Sequence, residues 1–362
     1  MAIISGYTIT ETVRANDRFI LERGWIDSDR RPVLLKYPAS KHPSPETVRQ
    51  LEHERDIADS LNPRLVLHPL ALERRPDRVV LVFEDFRGVP LSRLLGAPMD
   101  IGRFLRLAIR TAEALAELHD HHVIHKDIRP DNIIADLDTG RVRLTDLGIA
   151  SLLPREYQEA EQASLIEGSL PYMSPEQTGR MNRAIDHRTD FYSLGITFHE
   201  MLTGALPFRA SDLLEWVHYH IAGSPPPPDQ IVPGVPQAIS AIVQKLLSKV
   251  AEDRYQTARG LAHDLGVCLA SWEDRRSIPT FPLGREDVSE RFQLPQKLYG
   301  RDREIRTLLD GFGRVVATGV PENRAHLGVF GHRQELAGPR AGQARGHGAG
   351  ELPRRQVRGD QA

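Results

Sequence analysis

One short stretch of the chain carries acidic and amide side chains in a spacing that suits phosphate chemistry. Asp127 and Asn132 stand five residues apart in the run His125–Asn132, and a second acid, Asp146, follows fourteen residues after Asn132. A lone acid and a metal-binding amide on one loop, with another acid on the next loop, are what phosphoryl transfer from a Mg²⁺-bound nucleotide requires. These three residues therefore predict a site for that reaction.

The elements that would position these residues fall into two parts. Four short runs rich in apolar or β-branched residues predict strands, at 7–13, 19–23, 32–37 and 79–83. Ser44-Pro45-Glu46 is a cap with Pro at the first helical position, and it opens a predicted helix over 44–61. Later apolar residues recur at helical spacing, at 101–122, 190–203, 211–222, 237–249 and 257–271. The pattern indicates a small β-rich lobe with one helix and a larger helical lobe.

Composition and charge exclude several classes of protein. The 362 residues are 27% charged and 40% hydrophobic, which is typical of a globular protein with a buried core. A net charge of −2 gives no indication of a nucleic-acid partner. Cys268 is the only cysteine, which excludes disulfides within the chain, and no run approaches the roughly 18 apolar residues of a membrane span. We therefore expect a cytoplasmic protein without a membrane span.

The order of the motifs resembles that of the protein kinases. His125–Asn132 is similar to the catalytic loop H-R-D-x-x-x-x-N, Asp146-Leu147-Gly148 to the metal loop D-F-G, and Ser174-Pro175-Glu176 to A-P-E. The resemblance implies an α+β, bilobal protein kinase fold over residues 1–272. Its small lobe would be 1–87 and its helical lobe 88–272, with ATP and Mg²⁺ bound between them.

The resemblance also implies a role for each residue of the first motif. Asp127 would orient the substrate hydroxyl and accept its proton, and Asn132 and Asp146 would hold Mg²⁺. Arg129 lies where these kinases usually carry Lys, and its charge would stabilise the transferring phosphoryl group. Further along, Arg254 would be the buried partner of Glu176.

Upstream residues complete the predicted nucleotide site. Lys36, at the end of a predicted strand, is similar to the Lys that grips the α and β phosphates. Glu54 would pair with it, and Glu52 is the competing choice on the same helix. Glu84 and Phe86 lie in a stretch similar to the hinge, whose backbone amides would contact adenine.

Two further parts of the pattern concern loops. Asp190 would anchor the catalytic loop, and 149–173 would be the activation loop. In that loop Ser169 is either a phosphorylation site or an unmodified turn residue.

The phosphate-covering loop departs from the kinase pattern. Between the first two predicted strands the family has G-x-G-x-x-G, but Val13–Phe19 contains no glycine. Asn16-Asp17 can still make a tight turn, and Arg14 or Arg18 could supply positive charge. We predict an ATP-dependent kinase that phosphorylates Ser or Thr in a protein substrate, because the basic signature of tyrosine-specific loops is not evident. The alternatives are a nucleotide-binding pseudokinase and, less well supported, an aminoglycoside-type phosphotransferase.

The end of the chain predicts a change of domain. Residues 273–297 would be a linker, 298–320 the start of a truncated ATPase domain, and 321–362 a disordered tail. The stretches Gly168–Arg183 and Leu298–Arg301 resemble bacterial proteins in which a Ser/Thr kinase precedes an AAA-type ATPase and sensor histidine-kinase modules. Such modules would be its partners in a larger signalling protein.

A frameshift would explain why this second domain begins and then fails. Codons exist for 328–336 whose reading from the second nucleotide gives Gly-Tyr-Ser-Gly-Ile-Gly-Lys-Ser, a P-loop. We therefore hypothesise a frameshift shortly before Gly328, which the coding DNA would test.

Overall fold

A computed structural model describes residues 4–75, 78–152, 168–181 and 183–288, together with two short strands near the C-terminus. The chain divides into two units, residues 1–297 and 298–362. Within the first unit, the predicted arrangement of a β-rich lobe followed by a helical lobe is confirmed.

The small lobe is built on a five-stranded sheet in the order β1-β2-β3-β5-β4, in which every neighbouring pair is antiparallel. The strands are β1 (Tyr7–Ala15), β2 (Phe19–Ile26), β3 (Pro32–Pro38), β4 (Pro69–Arg74) and β5 (Val79–Glu84). Strand β4 has no counterpart in the sequence prediction, because it is short and two of its six residues are charged.

One helix, α1 (Pro45–Ala58), packs against this sheet. It begins as predicted, since the Ser44 side chain accepts a hydrogen bond from the Thr47 amide and Pro45 occupies the first turn. Its buried residues recur every three or four positions and include Leu51 and Glu54. One face of α1 is therefore turned towards the sheet.

The second lobe is mainly helical. Its helices are α2 (Ile101–Asp120), α3 (Arg188–Thr203), α4 (Leu213–Ala222), α5 (Pro228–Ile231), α6 (Gln237–Leu246) and α7 (Ala258–Arg275). A small antiparallel sheet joins β6 (Val89–Pro90), β7 (Ile133–Asp136) and β8 (Arg141–Leu144). A large core of buried apolar side chains from α2, α3, α6 and α7 holds this lobe together, and Phe104 and Phe198 meet edge-to-face at its centre.

The helical lobe extends beyond the boundary predicted at 272. Helix α7 continues to Arg275, and Ile278, Phe281 and Leu283 then pack on the same core. The Asp287 carboxylate accepts hydrogen bonds from the backbone amides of Gln256 and Thr257, at 2.7 and 2.8 Å. The first part of the predicted linker is therefore docked on the lobe.

The rest of that linker, the predicted ATPase start and the predicted tail lie outside the described residues, apart from β9 (His326–Leu327), which pairs with β10 (Arg333–Gln334). None of the helices in the described part of the chain is long and apolar enough to span a membrane.

Candidate active site

A β-hairpin brings the two predicted metal ligands together. Asn132 immediately precedes β7, and Asp146 follows β8 by two residues. The two strands are antiparallel, with Ile133 opposite Leu144, and the Thr145 amide donates to the Asn132 carbonyl at 3.0 Å. The fourteen-residue spacing in the sequence is thus the length of one hairpin, whose two ends meet at the site.

Asp127 lies beside the first of these ligands. The Asn132 side-chain amide donates to the Asp127 carboxylate at 2.9 Å and to the Asp127 carbonyl at 2.8 Å. Since the amide nitrogen is used in this way, the Asn132 Oδ1 atom is turned towards Asp146, and one guanidinium contacts both residues. Burial and the nearby charge of Asp146 raise the pKa of Asp127 above its usual value, which makes it a better proton acceptor.

The loop that carries Asp127 is fixed by one buried carboxylate. Asp190 of α3, which is fully buried, accepts hydrogen bonds from the amides of His125 and Lys126 at 3.0 and 2.9 Å. Lys126 has a φ of 65°, an unusual conformation for a residue with a side chain. The two hydrogen bonds to a charged acceptor offset the strain of this conformation. Asp190 thus holds the loop as the sequence predicts.

Lys36 and Glu54 meet beneath the sheet. Period-two alternation places Lys36 on the same face of β3 as Leu34, which shares a core cluster with Leu51 of α1. Lys36 forms a buried ion pair with Glu54, three residues after Leu51, and a second one with Asp146, at 2.6 Å. The other Glu54 oxygen accepts the Asp146 amide at 2.9 Å.

The competing glutamate on this helix faces elsewhere. Glu52 pairs with Arg74 at the surface, and its side chain is 29% exposed, whereas that of Glu54 is 2% exposed. The helical period therefore selects Glu54 for Lys36.

Asp146 lies between two cations. Its Oδ1 atom contacts Lys36, and its Oδ2 atom accepts a hydrogen bond from Arg14 at 2.8 Å. Burial acts to raise the pKa of Asp146, but the charges of Lys36 and Arg14 outweigh it and hold the pKa well below its usual range. Asp146 is therefore ionised at neutral pH.

Arg129 and Ser169 lie on the other side of Asp127. Arg129 forms an ion pair with Asp131 and donates to the Ser169 hydroxyl at 2.7 Å, while the Ser169 amide donates to Asp127 at 3.1 Å. Gly168 has a φ of 95°, and a Cβ added there would lie 3.1 Å from the Lys126 carbonyl. A glycine is thus required for this close approach. Ser169 thus contacts both predicted catalytic residues, Arg129 through its hydroxyl and Asp127 through its backbone amide.

The predicted adenine-contacting stretch leaves the end of β5. Glu84 is the last residue of β5, and its amide donates to the His68 carbonyl at 3.3 Å. The Phe86 side chain is buried in the small-lobe core, and its carbonyl accepts the Gly88 amide at 2.7 Å. Arg23 braces the stretch through a 3.0 Å ion pair with Asp85.

Further from the centre, the predicted pairing of Glu176 with Arg254 is confirmed. The two side chains form a bidentate ion pair at 2.6 and 2.9 Å, and Arg254 is completely buried. Three backbone carbonyls accept the remaining hydrogens of Arg254, namely those of Arg188, Ser248 and Lys249. This pair ties the segment after the site to the helical core.

A cavity of ≈ 250 Å³ opens between these residues, and Asp127, Arg129 and Asp146 contribute to its wall. Residues 16–19 of the glycine-free turn cover part of it. A larger cavity, of ≈ 600 Å³, is lined by α2 and the start of α7 and includes none of the residues predicted for chemistry.

Arg14 lies among the predicted catalytic and metal-binding residues, although the sequence alone could not choose between Arg14 and Arg18 as the source of positive charge. Its guanidinium donates to Asn132 Oδ1, to Asp146 Oδ2 at 2.8 Å and to the Asp131 carbonyl at 3.3 Å. Arg18, the other candidate for positive charge, is exposed. The glycine-free spacing drew attention to both arginines, but it held no signal for choosing between them.

Comparisons with known proteins agree with this geometry. The family model described as protein kinase domain matches residues 24–265, more than half of the chain. The chain is 31% identical over 229 residues to serine/threonine-protein kinase Pkn1 of Myxococcus xanthus. The aligned region covers 62% of this chain and 33% of that protein. It is 29% identical over 244 residues to serine/threonine-protein kinase PrkC of Bacillus subtilis, covering 67% and 37%.

A third relative is hybrid signal transduction histidine kinase G of Dictyostelium discoideum, 29% identical over 306 residues, covering 60% of this chain and 9% of that protein. The matched regions thus span little more than a third, or less, of these three relatives. The family match includes Lys36, Glu54, Asp127, Asn132 and Asp146, which the fold brings together. The chain therefore belongs to the protein kinase domain family.

Proposed function

We propose that this protein transfers the γ-phosphoryl group of ATP to Ser or Thr hydroxyls of a protein substrate. The observation that carries the proposal is the continuous set of contacts from Lys36 through Glu54 and Asp146, and then through the Arg14 guanidinium, to Asn132 and Asp127. A pseudokinase has no need of an ordered base beside an ordered pair of metal ligands. The three relatives are named as kinases, two of them as serine/threonine-protein kinases, which supports the same reaction.

In the proposed reaction each side chain acts on a different part of the substrates. Lys36, held by Glu54, binds the α and β phosphates, while the backbone of Glu84 and Phe86 contacts adenine. Asp127 orients the acceptor hydroxyl and takes its proton, for which its raised pKa suits it. Arg129, held beside Ser169 at 2.7 Å, stabilises charge on the transferring group.

We propose Mg²⁺ as the metal, with Asn132 and Asp146 as its protein ligands. Their two oxygen atoms already converge on one cationic group, the Arg14 guanidinium, so the pair fits a positive charge. Hard oxygen donors with few protein ligands suit Mg²⁺, which takes its other ligands from phosphate and water. When bound, the ion would neutralise the phosphate oxygens of the nucleotide.

We also propose that the kinase domain belongs to a larger cytoplasmic signalling protein. The relative from Dictyostelium discoideum is named a hybrid histidine kinase, and the matched part is only 9% of it. An ATPase domain starting at 298–320 and following sensor histidine-kinase modules would agree with that organisation. Residues 298–320 lie outside the described residues, so the support for this part is the sequence and the relative alone.

The proposal is tested by phosphoryl transfer from ATP labelled on its γ phosphate. The full chain should label a generic basic protein in Mg²⁺, and hydrolysis of the product should release phosphoserine or phosphothreonine. Lys36→Met removes the buried cation that contacts both Glu54 and Asp146, and we expect a loss of about 10²-fold or more in rate. Lys41→Met, at an exposed position just after β3, is the matched control and should leave the rate unchanged.

Two outcomes would overturn the proposal. Equal labelling by the wild type and Lys36→Met would mean that another kinase in the preparation does the chemistry. Bound ATP without transfer to any acceptor would favour the pseudokinase instead.

A further inference from the structure

The feature that the proposed reaction leaves unexplained is the position of Arg14. This side chain comes from the glycine-free end of β1, yet it is only 8% exposed and reaches the catalytic loop of the other lobe. Its guanidinium spans the two oxygens, Asn132 Oδ1 and Asp146 Oδ2, that the proposed metal would need.

A bulge in the sheet directs Arg14 to this place. Along β1 more exposed and less exposed side chains alternate, until Val13 and Arg14 are both buried in succession. The pairing of β1 with β2 shifts by one residue between Thr12 and Arg14, so Val13 is the extra residue. A bulge re-aims the side chains around it, which is why two neighbours can both turn inwards. Val13 enters the small-lobe core, and Arg14 enters the site.

The contacts of Arg14 match those expected of a bound cation. Asp146 Oδ1 is taken by Lys36, so Oδ2 is the oxygen left for a metal, and Arg14 donates to it at 2.8 Å. A guanidinium and a divalent ion in contact with the same two oxygens would repel each other strongly, because two positive charges would then lie only a few ångströms apart.

We propose that Arg14 competes with the divalent cation for Asn132 and Asp146, and so sets how strongly nucleotide binding depends on the metal. Without metal, Arg14 neutralises Asp146, and a nucleotide phosphate meets less negative charge. With metal, Arg14 must leave the pair, which weakens the apparent affinity for the ion. This inference rests on the proposed metal ligands, but it does not require that phosphoryl transfer occurs.

The test measures ADP binding to the full chain by calorimetry, once in saturating Mg²⁺ and once in EDTA. The quantity of interest is the ratio of the Kd in EDTA to the Kd in Mg²⁺. Arg14→Ala should raise this ratio about tenfold or more, equivalent to ~1.4 kcal/mol, because it strengthens binding with metal and weakens binding without it. Arg14→Gln, which keeps a polar side chain without the charge, should shift the ratio in the same direction. Arg14→Gln can replace Arg14→Ala in this test if the alanine variant folds poorly.

Arg31→Ala is the matched control, since it removes the same charge from an exposed position in the turn between β2 and β3, outside the cavity, and should leave the ratio unchanged. A ratio that stays at the wild-type value in both Arg14 variants would overturn the competition while leaving the metal site intact. A ratio near one in every protein would overturn both the metal ligands and the role of Arg14. Neither result depends on whether the protein transfers phosphate.

Discussion

Asp127→Asn should lower kcat by about 10²- to 10⁴-fold while the Kd for ADP changes little, because a positioned base contributes that much to proton transfer. The substitution keeps the size of the side chain and one acceptor oxygen, so the contacts with Asn132 and Ser169 are only partly lost. It removes the ability to take a proton. Steady-state transfer to a protein substrate and calorimetric ADP binding measure the two quantities separately.

The matched control is Asp138→Asn, which makes the same chemical change at an exposed position in the turn between β7 and β8. It should have wild-type kcat. An Asp127→Asn variant with more than about a tenth of the wild-type kcat would show that Asp127 is not the base, since this loss is far below that of a removed general base. Equal melting temperatures of the two variants and the wild type would exclude misfolding as the cause.

Arg254→Met should lower the free energy of unfolding by about 3–5 kcal/mol, because it leaves the buried Glu176 carboxylate without its counter-charge. Arg254 is completely buried and Glu176 is 4% exposed, so water cannot replace the lost contact without rearrangement. Glu176 retains only the Thr189 hydroxyl among its side-chain partners, at 2.8 Å. Urea unfolding followed by circular dichroism measures the change.

An exposed ion pair provides the comparison. Arg110 and Glu113 lie 2.7 Å apart on α2 with side chains 58% and 40% exposed, and Arg110→Ala should cost less than about 1 kcal/mol. When Glu176→Leu is added to the Arg254→Met variant, it should restore part of the lost stability, since neither charge of the buried pair then remains. A single Arg254→Met variant as stable as Arg110→Ala would show that the buried pair contributes little to the fold.

The residues at the ends of the β7–β8 hairpin illustrate what the sequence can predict. Asp127, Asn132 and Asp146 follow from motif spacing, because a short hairpin leaves few ways to place its two ends. Lys36 and Glu54 follow from the periods of a strand and a helix, and the structure places Glu54 rather than Glu52 against Lys36. In these cases the local geometry of the strand or helix determines the direction of each side chain, and that direction determines which residue it contacts.

Arg14 and the end of the kinase domain show where sequence reasoning stops. The direction of Arg14 depends on a one-residue shift between β1 and β2, and no period in either strand encodes that shift. The docking of residues up to Asp287 depends on amides exposed at the start of α7, thirty residues earlier. Both features arise from tertiary contacts between segments whose own sequences are unremarkable in composition.

The anchoring of the catalytic loop by Asp190 has a consequence for hydrogen exchange. The amide protons of His125 and Lys126 are bonded to a carboxylate on α3, most of whose residues are buried in the core of the helical lobe. These protons can exchange with solvent only when that core opens, so their exchange should report the global unfolding free energy. The exposed turn at Asn16–Arg18 should instead exchange through small local fluctuations. The loop that carries the proposed base thus belongs to the most cooperative part of the molecule, whereas the turn that covers it should open independently of that part.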